Sequence, residues 1–102
     1  MIRITEENIH SIISGEKQAW KITTDGHYTI FKCVMEVEKD RYLVCDVKDS
    51  SPFFISRDAL LNYSYIFETM KDVYQKQIEW HANQIKFIKN QIFSLENPNS
   101  IL

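Results

Sequence analysis

From Phe53 to Asn97 the chain has neither glycine nor proline, and within that stretch Tyr74, Ile78, His81, Ile85, Ile88, Ile92 and Leu95 recur at alternating intervals of four and three. A helix winding about 3.6 residues per turn collects such positions on one edge, so the spacing predicts one long helix carrying an apolar heptad seam. A seam of this kind is stable only against another apolar surface. In a chain of 102 residues little else remains to cover it, and the seam is expected to be a homodimer interface. The helix should span 56–96, opened by Ser56 or Asp58 and stopped by Asn97-Pro98, with 97–102 as a tail. Asn62-Tyr63-Ser64 is its weakest point and could bend it or break it in two. Unbroken, it would be about 60 Å long, too long for one small sheet to cover. The stretch around Leu60, Leu61, Ile66 and Met70 is expected to pack on the sheet of its own chain, leaving the C-terminal half for another subunit.

The part before this helix, 1–55, reads as a short helix followed by a three-stranded antiparallel meander. Thr5-Glu6-Glu7-Asn8 before Ile9, Ile12 and Ile13 suits a capped helix from Glu6 to Ser14, ended by Gly15. Strands are expected at 17–24, 27–37 and 41–47. Asp25-Gly26 as a two-residue turn sets Trp20 opposite Phe31 and Ile22 opposite Thr29. A three-residue turn at Glu38-Lys39-Asp40 sets Val37 opposite Arg41, Met35 opposite Leu43 and Cys33 opposite Cys45. Both hairpins then present one core face of Trp20, Ile22, Phe31, Cys33, Met35, Leu43, Cys45 and Val47. The fold class is α+β in a single domain, 1–102.

Charge and composition narrow the function. The formal charge is −2 and no half of the chain is basic, so the electrostatic attraction that dominates binding to nucleic acid is missing. No run approaches the roughly 18 apolar residues that span a bilayer, and the first residues do not form a secretory signal, so a cytoplasmic protein with reduced thiols is expected. Abundant Ile, Lys, Asn, Tyr and Phe suit an AT-rich genome. A small acidic product of a phage or mobile element, acting on a protein in the host cytoplasm, would have this profile.

Catalytic, metal and cofactor chemistry find little support. Two glycines in the whole chain cannot build a phosphate-cradling loop. Cys33 and Cys45, if facing, could share a metal or form a disulfide, yet only His10, His27 and His81 could complete a site and the spacing fits no ligand knuckle. Glu36, Glu38, Asp40 and Asp46 are interleaved with Lys39 and Arg41, as a solvated turn would be. The reading is a non-catalytic regulatory or inhibitory protein-binding module that acts as a homodimer. Its candidate partner-binding residues are Phe53 and Phe54 in the connector, Trp80 and Phe87 on the helix stripe beside the seam, and Tyr28 and Tyr42 on the second sheet face, because aromatic residues dominate interface energetics. A nucleic-acid accessory protein that stacks bases on the sheet is the alternative, and a small enzyme using Cys and His comes third.

Overall fold

In a computed structural model, which describes residues 1–97, the chain is an α+β domain. Its elements run β1 (Ile2–Arg3), α1 (Ile9–Ile13), β2 (Ala19–Ile22), β3 (Tyr28–Glu38), β4 (Arg41–Asp46), β5 (Pro52–Ser56), α2 (Arg57–Tyr63), β6 (Tyr65–Ile66) and α3 (Met70–Glu96). The strands form one six-stranded antiparallel sheet in the order β1-β6-β2-β3-β4-β5. The expected meander is therefore its centre, β2-β3-β4, and three strands were missed. Those three are two to five residues long, too short to show an alternating pattern. Pro52 opens the edge strand β5, a position where a missing N–H costs no ladder bond.

The helix expected over 56–96 is two helices. Ser64 is extended, at φ −126 and ψ 159, and Tyr65–Ile66 leaves the helical path to pair with β1 on one side and β2 on the other. Ile66 is buried and Tyr65 stacks on Trp20 at 4.7 Å. Both residue types favour strands, and pairing on two sides plus this burial interrupts the helical path. The break falls at the weak point, Asn62 to Ser64. Residues 98–102 of the expected tail, with the expected stop Pro98, lie outside the described residues. At the N-terminus, Thr5 to Asn8 forms a turn rather than the first helical turn: the Asn8 side chain accepts from the Thr5 N–H at 2.7 Å, and α1 begins only at Ile9.

Both hairpin registers differ from expectation, for local reasons. Asp25 does not adopt positive φ, whereas Gly26 does, at +85. This makes a three-residue loop closed by Thr23 N–H to His27 C=O at 2.8 Å, with glycine in the left-handed position. The pairing slips by one, so Trp20 faces Ile30 and Ala19 faces Phe31. In the second hairpin Glu38 pairs with Arg41 around Lys39-Asp40, and Met35 pairs with Leu43 as expected. Register shifts on either side of that pair then set Cys33 opposite Val44 and Cys45 opposite Lys32. One extra residue reverses the facing of everything beyond it. The two cysteines thus occupy opposite sheet faces.

The first face carries Ala19, Phe31, Cys33, Tyr42, Val44 and Ile55, closed over by Ile9 and Ile12 of α1 and Leu60 of α2. Of the expected core face, Phe31 and Cys33 belong here; Trp20 is buried on the other face, and Met35 and Val47 are exposed.

Candidate protein-interaction surface

The second sheet face is only half covered, by the first three turns of α3. Thr69 caps that helix, accepting from Asp72 N–H at 3.4 Å, and Asp72 lies 3.7 Å from the α-amino group of Met1. Val73 is fully buried where α3 packs on β2. Gln77 donates from Nε2 to the Gly26 carbonyl at 2.9 Å. Trp80 rests on the β2–β3 loop so closely that a Cβ on Gly26 would stand 2.5 Å from its Cζ3. Tyr74, on the flank nearest β3, meets Tyr28 edge-on with ring centroids 6.1 Å apart. On the opposite flank Lys76 stands 5.8 Å above the Tyr65 ring.

From His81 to Glu96 the helix runs beyond the sheet, with His81 still standing against Gly26 of the β2–β3 loop, and every residue but Ser94 is exposed. That overhang is about 24 Å of helix and accounts for the elongated 53 × 29 × 27 Å shape. Its seam is fully formed and uncovered among the described residues: Ile78 is 69% exposed, Ile85 55%, Ile88 56%, Ile92 50% and Leu95 84%. Tyr74, Gln77, Ile78, His81, Ala82 and Ile85 line a shallow, almost wholly apolar groove along it. Phe93, on the side of the helix turned away from the sheet, is equally bare.

Beside α3, the β3-β4-β5 half of the second sheet face has no cover among the described residues. Ile30, Leu43 and Cys45 are half-buried there, while Met35, Val47 and Phe54 are exposed. The Arg41 guanidinium lies 4.5 Å above the Phe54 ring, a contact worth about 0.5–1 kcal/mol at an exposed site. Helix seam and bare half-sheet adjoin along Tyr74 and Tyr28, and exposed apolar residues gathered side by side in this way mark interaction surfaces.

The aromatic residues expected to bind partners are scattered over the fold. Phe54 and Phe87 are exposed. Trp80 and Tyr28 are half-buried in the packing between α3 and the sheet. Phe53 packs edge-on against Phe31 at 5.5 Å, as a core plug. Tyr42 is 1% exposed and presents no surface, because the register shift turns it into the first face. Leu43 and Val47, expected in the core, were missed as residues of this face: alternation shows that a strand has two faces, and only the helix position shows which half of one is left uncovered.

Burial, with the Glu36 charge second, pushes the Cys33 thiol above its usual range, and Cys45 points away from it across the sheet. His10, His27 and His81 are exposed on three separate elements. Among the described residues no three His, Cys, Asp or Glu side chains gather as a metal site, and no helix is long and apolar enough to cross a membrane. No family model, curated protein or solved structure matches the chain.

Proposed function

We propose that the protein is a non-catalytic protein-binding module, regulatory or inhibitory in kind, that works as a homodimer through α3. The observation carrying this reading is the overhang. It repeats large apolar residues on one edge for its whole free length, where its own chain gives them no cover among the described residues. Burying an isoleucine is worth about 1.5–3 kcal/mol, so Ile78, Ile85, Ile88 and Ile92 together supply enough to hold two copies together against the cost of association. A dimer brings two half-sheets and two outward faces bearing Phe93 into one particle, with Phe54 and Tyr63 also exposed for a target.

Sedimentation equilibrium tests the first half of the reading. The wild-type chain should be dimeric at micromolar concentration, and Ile85→Asp should give a folded monomer, because residue 85 stands clear of the sheet in a single copy. A wild-type monomer at high micromolar concentration rejects it.

A further inference from the structure

An open sheet leaves backbone donors and acceptors along its edges, and among the described residues three stretches of edge are free. β1 offers only Ile2 and Arg3. β3 runs to Glu38 but pairs with β2 no further than Phe31, and the stretch left free carries register shifts before Met35 and after Glu36, which break the even spacing another strand needs. β5 is different. Its register against β4 is unbroken from Pro52 to Ser56. The bonds just beyond its ends fix which groups it turns inwards: the Ser51 carbonyl accepts from Asp46 N–H at 2.9 Å, and Arg57 N–H donates to the Asp40 carbonyl at 2.8 Å. In an antiparallel ladder alternate residues bond to the same neighbour, so Phe53 and Ile55 bond to β4 while the backbone groups of Pro52, Phe54 and Ser56 point out of the sheet. The outer edge therefore presents the Pro52 carbonyl, both backbone groups of Phe54 and the Ser56 N–H, while the Ser56 carbonyl is taken up by the first turn of α2. Pro52 blunts one end by lacking a donor; the rest is intact.

We infer that the target of this module binds by strand addition: an extended, flexible segment of another protein, with a large apolar residue beside Phe54, pairs along the outer edge of β5. This inference rests on the protein-binding reading proposed above and names the form of the partner. The approach is open among the described residues. α2 begins at this edge, but the chain then continues into β6, four strand positions away, so the helix leads away from β5 beneath the first face. The seam is also distant, because α3 packs on β2, with β3 and β4 between it and β5. An added strand makes two bonds with Phe54 and one each with Pro52 and Ser56, which uses every free group on the edge. On the second face it sets a side chain against the Phe54 ring, which is 54% exposed and carries the Arg41 guanidinium at 4.5 Å; apolar cross-strand pairs of this kind stabilise a ladder. A second copy is the poorer occupant, since two rigid domains meeting only along a five-residue strand fall well short of the roughly 800 Å² per partner of a stable interface. A flexible segment reaches further. Past Phe54 it can turn over the adjoining bare half-sheet, where Leu43 and Cys45 are half-buried.

A displayed library of random peptides, panned on the wild-type protein, supplies the probe. A selected peptide, once synthesised, should slow hydrogen exchange at the Phe54 and Ser56 amides by about tenfold or more, whereas Phe53 and Ile55, bonded to β4, should be protected with or without it. Phe54→Pro removes the outward N–H and leaves the β4 ladder untouched. It should weaken peptide binding by about tenfold, and Phe54→Leu, which keeps that N–H, should retain most of the affinity. Peptides that bind Phe54→Pro as well as wild type, or that leave exchange at Phe54 and Ser56 unchanged, would overturn strand addition and leave a protein-binding module standing. A library that yields no binder would overturn it too. Concentration-dependent protection of the same two amides in Ile85→Asp, with no peptide present, would assign the edge to a second copy and reject a target segment. The dimer is judged apart from this, since a wild-type monomer in sedimentation removes the seam interface and leaves the peptide result to decide the edge.

Discussion

Gly26 is where a single residue controls the placement of the long helix. Its positive φ closes the three-residue loop, its missing Cβ admits Trp80, and its carbonyl accepts from Gln77. Gly26→Ala would strain the backbone and push the indole away, so it should cost more than about 1 kcal/mol in urea unfolding. A neutral result would mean that Trp80 is loosely held. Asp46 makes a second residue-level prediction. Its carboxylate accepts from Thr29 Oγ1 at 2.7 Å, and also from the Lys48 and Asp49 N–H groups at 2.7 and 3.2 Å. The Thr29 bond is the largest cause holding its pKa below the usual carboxylate value, against a smaller upward push from burial. A carboxyl whose folded pKa is depressed stabilises the fold fully above its unfolded value of about 4 and loses that contribution as pH falls through the folded value. Thr29→Val should therefore lower stability at neutral pH and flatten its decline below pH 4. An unaltered acid limb in unfolding measured across that range would exclude the role.

Among the elements, the junction from β5 into α2 depends on one side chain. Ser56 ends the strand with extended backbone and accepts from Ala59 N–H at 3.1 Å, so one residue closes a sheet edge and opens a helix. Ser56→Ala should cost about 0.5–2 kcal/mol, read as a lower urea midpoint with unchanged slope, whereas Ser56→Asp should retain most of the stability. Loss of the cap with no change in midpoint would show that Leu60 packing alone fixes α2. The break between α2 and α3 has the same character. Tyr65 and Ile66 are residue types that favour strands, and only as a strand can they fill the gap between β1 and β2.

For the whole molecule, the proposed dimer makes a prediction about folding. Under that proposal the partner supports the overhang, so dilution below the dissociation constant should unwind roughly fifteen residues of helix while the sheet stays intact. Far-ultraviolet circular dichroism should lose helical signal on dilution, with the fluorescence of buried Trp20 unchanged. A helical signal independent of concentration across the sedimentation-defined transition would show that the overhang stands unaided.

By itself the sequence determined what depends on near neighbours: the α+β class, the central hairpins, the helix break at Asn62 to Ser64, and the seam from Tyr74 to Leu95, because periodicity and turn chemistry are local. It could not determine the register of either hairpin, which turned on whether one loop residue took positive φ and on where the β3–β4 ladder slipped. Nor could it reveal the short strands β1, β5 and β6, which exist only because the sheet edges accept them. The tertiary structure alone decided that Tyr42 is core, that Cys33 and Cys45 stand on opposite faces, and that α3 covers one half of the sheet and leaves the other bare. Those outcomes depend on how separate elements dock, and docking is governed by contacts between residues far apart in the chain.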